Sequence, residues 1–119
     1  MDFGIQRFTD YTLVKILVER LDINNAPVLK SELVAEIAKG EKNIVLDVSD
    51  CNYCDSSGLS AILVANGLCE DALGTFILTC LQHDVEQMIS ISMLHTVLVI
   101  TTSVEEAELI LMEKGKQIS

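Results

Sequence analysis

Basic and aromatic residues are scarce in this 119-residue sequence, and each shortage argues against a class of function. It has 8 Lys and Arg against 18 Asp and Glu, a formal net charge of −10, no Trp, two Tyr and three Phe. A nucleic-acid-binding protein needs a basic patch for the phosphates and rings on which bases stack, so we expect no nucleic-acid partner. An anionic membrane surface would also repel such an acidic chain.

Long apolar runs and short catalytic motifs are missing as well. No run approaches the roughly 18 to 20 residues that span a bilayer. The first twenty residues carry Asp2, Arg7 and Asp10, which is unlike a signal peptide, so we expect a cytoplasmic chain without membrane insertion. There is no P-loop, no G-x-G-x-x-G and no G-x-S-x-G, so the sequence predicts neither a nucleotide site nor a hydrolase.

Proline and glycine are too few and too scattered to mark a linker. With one Pro, six Gly and no repeat or low-complexity segment, residues 1–119 are expected to form a single domain. The four cysteines lie in apolar or loop contexts typical of reduced thiols and do not form a dense disulfide framework.

Strand-like and helix-like segments alternate along the chain. Two strand-like runs around a turn at Thr9-Asp10 predict an N-terminal hairpin, and the later strands are separated by helices. This order, β-β-α-β-α-β-α-β-α, predicts an α/β fold with a small, mostly parallel mixed sheet and about four helices. The predicted strands are 3–8, 11–18, 43–48, 75–80 and 97–100, and the predicted helices are 27–39, 57–73, 83–94 and one that begins after Ser103.

The first and last helices have clear patterns. In the first, the apolar positions are Leu29, Leu33 and Ile37, and the positions expected on the opposite, exposed face are Glu32, Glu36 and Lys39. Before the last helix, Ser103 and Glu106 have the spacing of a capping box, in which each side chain accepts a hydrogen bond from the other residue's backbone N–H.

The most unusual segment is residues 47–59, DVSDCNYCDSSGL, which runs from the end of a buried strand into a helix. In an open α/β sheet, ligands and partners generally bind at this carboxyl edge. Asp55, Ser56 and Ser57 are typical helix-capping residues, so capping alone is one interpretation. The other is that a serine hydroxyl carries a phosphate, which a helix N-terminus stabilises, with Gly58 leaving room for it.

Residues 55–63, DSSGLSAIL, preceded by 44–49, IVLDVS, resemble the signature of STAS domains and, more specifically, of bacterial anti-sigma factor antagonists. The resemblance covers essentially the whole chain. It implies that Ser57 is phosphorylated by a partner that is both anti-sigma factor and serine protein kinase. Ser56 is then expected to be a supporting cap. A serine phosphatase would be a second partner. It also implies that the loop with Asp22 and Asn24 lies beside Ser57.

The second helix is expected to extend this site. Its predicted core face comprises Ala61, Ile62, Ala65, Leu68, Cys69, Ala72 and Leu73. Opposite lie Ser60, Gly67 and Asp71, and the apolar residues Leu63 and Val64 flank this polar stripe. Either neighbouring elements cover them or they form a docking surface. The expected partner-binding residues are Asp22, Asn24, Asp55, Ser56, Gly58, Ser60, Leu63, Val64 and Gly67.

Two other functions are alternatives. Cys51-x-x-Cys54 lies at a strand-to-helix turn, as in thiol-redox proteins, although three residues separate the pair from the helix. A STAS subunit of a larger signalling or transport assembly would have the same fold. The acidic composition and the lack of a base near Ser57 in sequence favour a phosphoacceptor over an enzyme, so we expect no catalytic residue. Cys69 and Cys80 are not a second close pair, so we expect no metal site, and no motif indicates a cofactor.

Overall fold

In the computed structural model, which describes residues 2–118, strands and helices alternate largely as the sequence predicts. The helices are α1 (Ala26–Ala38), α2 (Ser56–Asp71), α3 (His83–Ile91) and α4 (Val104–Ile118). The strands are β1 (Phe3–Arg7), β2 (Thr12–Ile16), β3 (Arg20–Leu21), β4 (Ile44–Asp47), β5 (Tyr53–Cys54), β6 (Phe76–Thr79) and β7 (Val99–Thr101).

Five strands form the main sheet in the order β1-β2-β4-β6-β7. β1 is antiparallel to β2, and the other neighbours are parallel. The predicted N-terminal hairpin is confirmed: Arg7 pairs with Thr12, and the Phe8 N–H donates to the Tyr11 carbonyl at 2.8 Å. The mixed sheet with four helices confirms the predicted fold class.

The sheet is covered on both faces. Ile44 and Leu46 of β4 belong to the larger core, to which α1, α2 and α3 contribute. Val45, between them, belongs to a smaller core that includes Ala107 and Leu111 of α4. Because successive strand residues point to opposite faces, burial on both faces requires the unbroken apolar run of β4.

A second, two-stranded sheet was not predicted. β3 pairs in parallel with β5, so that Arg20 lies opposite Tyr53 and Leu21 lies opposite Cys54. Each strand has two residues, which is too short for an alternating pattern to be recognised in the sequence. The pairing places the segment that follows β2 next to the segment that precedes α2.

The end of α2 corrects one predicted core residue. The helix ends at Asp71, and Leu73 lies beyond it with φ 62° and is 86% exposed, so its predicted place on the core face is wrong. The chain turns here because the Gly74 N–H donates back to the Cys69 carbonyl at 2.7 Å. A Cβ on Gly74 would lie 2.0 Å from the Lys42 carbonyl oxygen, so only glycine fits there.

The last third of the chain departs from prediction in smaller ways. α3 ends at Ile91, three residues earlier than predicted, and Met93 with φ 64° leads into a short 3₁₀ turn, Leu94–Thr96. The predicted capping box is half confirmed. The Ser103 hydroxyl accepts from the Glu106 N–H at 3.1 Å, but the Glu106 carboxylate accepts from the Thr102 N–H at 3.2 Å instead of that of Ser103.

Glu36 is buried, so its predicted exposed position is wrong. It is 2% exposed, and Arg7 donates to both of its carboxylate oxygens at 2.8 and 2.7 Å, while the Lys39 ammonium donates at 3.2 Å. The bonds from Arg7 hold the pKa of Glu36 below its usual value against the opposing effect of burial. A carboxylate can therefore take a core-facing position, three residues after Leu33, because it is paired.

Candidate functional site

The β3–β5 pair places the loop after β3 beside the start of α2. The Asp55 N–H donates to the Leu21 carbonyl at 3.2 Å, which joins the residue before α2 directly to the residue before Asp22. The two segments that the sequence predicted as one site are therefore adjacent at the carboxyl edge of the strands.

Asp55 is the N-cap of α2. Its backbone is extended, with φ −90° and ψ −172°, and its carboxylate accepts from the Gly58 N–H at 3.0 Å. Ser56, exposed, and Ser57, half-buried, are the first two helical residues. Ser56 makes no capping bond, so its predicted capping role is wrong. Among the residues that the structure describes, none forms a side-chain hydrogen bond with the Ser57 hydroxyl, which leaves it available for chemistry.

Gly58 is buried and fixes the distance between α2 and the small sheet. A Cβ at this position would lie 2.5 Å from both the Cys54 Sγ and the Leu21 carbonyl oxygen. The glycine is therefore required for packing behind the site. It does not provide the space for a phosphate that the sequence suggested, and its burial leaves it little surface for a partner.

The loop after β3 is held by its own side chains. The Asp22 carboxylate accepts from the Asn24 N–H at 3.0 Å, in an Asx turn. Asn25 is buried; its side chain accepts from the Asp22 N–H at 2.9 Å and donates to the Arg20 carbonyl at 2.8 Å. Sequence reasoning did not single out Asn25, although an Asn directly before a helix with proline in its first turn was an available signal.

Arg20 is a second residue that the sequence analysis missed. Its guanidinium lies 4.0 Å from the centre of the Tyr53 ring and 3.8 Å from the Asp22 carboxylate, and its side chain is 60% exposed. The ring and the carboxylate orient a cation at the edge of the site. No sequence signal could have indicated this contact, because it depends on the unpredicted β3–β5 pairing.

The outer surface of α2 is uncovered beyond Ser57. Leu63 and Val64 are 41% and 36% exposed, so neighbouring elements do not cover them. No atom lies within 4 Å of the position that a Cβ on Gly67 would occupy. Ser60, half-buried, accepts a hydrogen bond from the Lys30 ammonium of α1 at 3.3 Å.

The Cys51 and Cys54 thiols lack the features of a redox pair. Both residues are 1% exposed, and the Cys51 thiol donates to the Tyr53 carbonyl at 3.1 Å. Burial raises the pKa of Cys51, and burial, with smaller effects from Cys51 and Asp55, raises the pKa of Cys54 to about 12. Because the thiolate is the reactive form, this environment suppresses thiol chemistry.

The described residues offer no metal-binding cluster and no membrane-spanning helix. Residues 2–118 contain no group of three or more His, Cys, Asp or Glu side chains arranged to hold a metal ion. No helix in the described part of the chain combines the length and the apolar character that crossing a bilayer requires. His83, exposed at the start of α3, follows the N-cap residue Gln82 and makes no capping bond of its own.

Comparison with known proteins gives consistent matches. The family model of the STAS domain matches residues 7–107. A Bordetella bronchiseptica protein described as a candidate anti-sigma factor antagonist, BtrV, is 30% identical over 98 residues, which is 82% of this chain and 84% of that protein.

Solved structures agree with these sequence matches. A candidate anti-sigma factor antagonist from Thermotoga maritima superposes with a TM-score of 0.83 at 26% identity, covering 92% of this chain and 94% of that one. SpoIIAA of Bacillus in its phosphorylated form has the same fold, with a TM-score of 0.71 at 18% identity over 91% of this chain and 98% of that one.

Two glycine-to-alanine changes on α2 should have opposite effects on stability. Gly58→Ala should lower the free energy of unfolding by about 1–3 kcal/mol, because its methyl group overlaps the Leu21 carbonyl oxygen and the Cys54 sulfur. Gly67→Ala should raise it by about 0.5–1 kcal/mol, because alanine is the better helix former and has open space. Urea denaturation measures both, and equal effects would contradict the packing role of Gly58.

Proposed function

The chain belongs to the STAS domain family, with the anti-sigma factor antagonists among its relatives, and we propose that it is itself an anti-sigma factor antagonist switched by phosphorylation of Ser57. The observation that carries the proposal is the position of Ser57 in the first turn of α2, continuous with the exposed surface at Leu63 and Val64. In this role the domain is a cytoplasmic regulator that binds a partner and catalyses nothing itself.

The proposed modification is a phosphoryl transfer from ATP held by a partner serine kinase. The Ser57 oxygen attacks the γ-phosphorus, so an oxygen–phosphorus bond forms while the bond to the leaving ADP breaks. The hydroxyl proton passes to a base on the kinase. Because the Ser57 hydroxyl makes no side-chain hydrogen bond within the described residues, no such bond has to break before Ser57 accepts the phosphoryl group.

A phosphate on Ser57 would be tolerated by the domain but not by a bound partner. It adds about −1.5 to −2 charges beside the Asp55 carboxylate, and the N-terminus of α2 offsets part of that charge. A partner surface shaped for a neutral hydroxyl would have to desolvate the phosphate without pairing it, at a cost of several kcal/mol. Release of the anti-sigma factor is the expected consequence.

Gly67 supports the assignment of α2 as the docking helix. A glycine inside a helix costs about 1 kcal/mol relative to alanine, and here no neighbouring atom needs the space that its missing side chain leaves. The fold therefore gains nothing from this glycine. A partner backbone that approaches α2 closely beside Leu63 and Val64 would gain from it.

Substitutions of Ser57 test the switch. Ser57→Ala should bind the cell's anti-sigma factor constitutively, and Ser57→Asp should bind it at least about tenfold more weakly, because the added carboxylate imitates the phosphate charge. Isothermal titration calorimetry with the purified kinase measures both affinities. Ser90→Asp, at an exposed position of α3, is the control for added charge and should bind normally. Equal affinities of the two Ser57 variants would contradict the switch.

Charge substitutions on α2 test the docking surface. Leu63→Lys and Val64→Glu should each lose most of the affinity for the same partner, because a charge replaces an apolar contact. Both variants should keep the circular dichroism spectrum of the wild type, because both side chains are already exposed. Leu109→Lys is the matched control: Leu109 is 62% exposed but lies on α4, across the sheet. If Leu63→Lys binds as well as Leu109→Lys, the interface lies elsewhere.

A further inference from the structure

Lys30 is a cation held against the helix that carries Ser57. It lies on α1, half-buried, and its ammonium donates to the Ser60 hydroxyl of α2 at 3.3 Å. The other lysine and arginine contacts found in residues 2–118 go elsewhere: Arg7 and Lys39 to Glu36, Lys15 to Asp50, Arg20 to Asp22 and Tyr53, and Lys114 to Thr75.

Ser60 lies one helical turn from Ser57. Residues at i and i+3 share a flank of a helix, with Cβ atoms about 5–6 Å apart, so Ser57, Ser60 and Val64 line the side of α2 on which Lys30 lies. Side chains on a helix lean toward its N-terminus. α1 follows β3 and α2 follows β5, and these strands are parallel, so both helices begin at the same edge and a Lys30 side chain that leans toward the start of α1 also leans toward the Ser57 end of α2.

Few other negatively charged groups near the site would compete with a phosphate on Ser57 for the Lys30 ammonium. The Asp55 carboxylate is engaged with the Gly58 N–H at 3.0 Å. The Asp22 carboxylate is engaged with the Asn24 N–H at 3.0 Å and lies 3.8 Å from Arg20. The acceptor that Lys30 has is a neutral hydroxyl, which binds an ammonium more weakly than a phosphate oxygen does.

We infer that Lys30 is the intramolecular partner of a phosphate on Ser57: its ammonium leaves the Ser60 hydroxyl and pairs with the phosphate oxygens. This inference rests on the proposed phosphorylation of Ser57. The pairing holds the phosphate in its doubly charged form. The second pKa of a free phosphoserine is about 6, so an added cation keeps the phosphate fully ionised at neutral pH, and one ammonium leaves a net negative charge on the pair.

Phosphorus NMR tests the pairing without any kinase. Phosphoserine is placed at position 57 of the full chain during translation, and the phosphate is titrated from about pH 4 to pH 9. Lys30→Met should raise the second pKa of the phosphate by about 0.5 unit relative to the wild type, because the compensating charge is lost. Lys30→Arg should leave it near the wild-type value.

Lys42→Met is the matched control, because Lys42 is exposed before β4, at the opposite edge of the sheet. Coincident titrations of Lys30→Met and Lys42→Met would overturn the inference and leave only a packing role for Lys30. If Lys30→Met does not fold, Ser60→Ala decides: removing the competing acceptor should lower the pKa of the phosphate, and an unchanged value overturns the pairing. Because the phosphate is installed directly, an absence of Ser57 phosphorylation in the cell would contradict the proposed function without altering this result.

Discussion

The geometry of the site depends on one close approach, between the backbone of α2 at Gly58 and the small β3–β5 sheet. Any Cβ at Gly58 would lie 2.5 Å from the Leu21 carbonyl oxygen and from the Cys54 sulfur. Because these atoms meet without a side chain between them, the Asp55 N–H can reach the Leu21 carbonyl. The Asp55 carboxylate caps α2 locally, through the Gly58 N–H. Ser57 then lies in the first turn of the helix, beside the Asp22 loop. A shift of the helix by the width of a methyl group would separate these segments.

The free energy gained by burying the apolar surface of α2 can be compared with the free energy needed to desolvate one phosphate. Full burial of a leucine or valine contributes about 1.5–3 kcal/mol, and Leu63 and Val64 are 41% and 36% exposed, so a partner gains only part of that from each. A doubly charged phosphate keeps a net negative charge even when one ammonium pairs with it, and desolvating an ion that the partner leaves uncompensated costs several kcal/mol. One phosphate on the same helix can therefore outweigh the apolar contacts. Lys30 and Arg20 place positive charge beside the site of an otherwise acidic protein. Within the domain itself, this charge lowers the electrostatic cost of a phosphate on Ser57.

Much of this site could be predicted from the sequence, because its signals are local. The capping residues before Gly58 marked the start of α2 to within one residue, and helical periodicity placed Leu63 and Val64 beside the polar stripe, although only the structure shows that no neighbouring element covers them. What could not be predicted depends on distant pairing. β3 and β5 have two residues each and are stable only against each other. Glu36 can be buried because Arg7, 29 residues away in sequence, pairs with both of its carboxylate oxygens, with a further bond from Lys39.

The proposed switch requires that Ser57 carries a phosphate in the living cell. Intact-mass analysis of the protein isolated from its own cells, compared with the Ser57→Ala variant expressed in the same cells, detects that phosphate. We predict that part of the wild-type protein carries the mass of one phosphate and that the variant carries none. Wild-type protein without added mass under every growth condition, or a variant that retains the phosphate, would contradict the account.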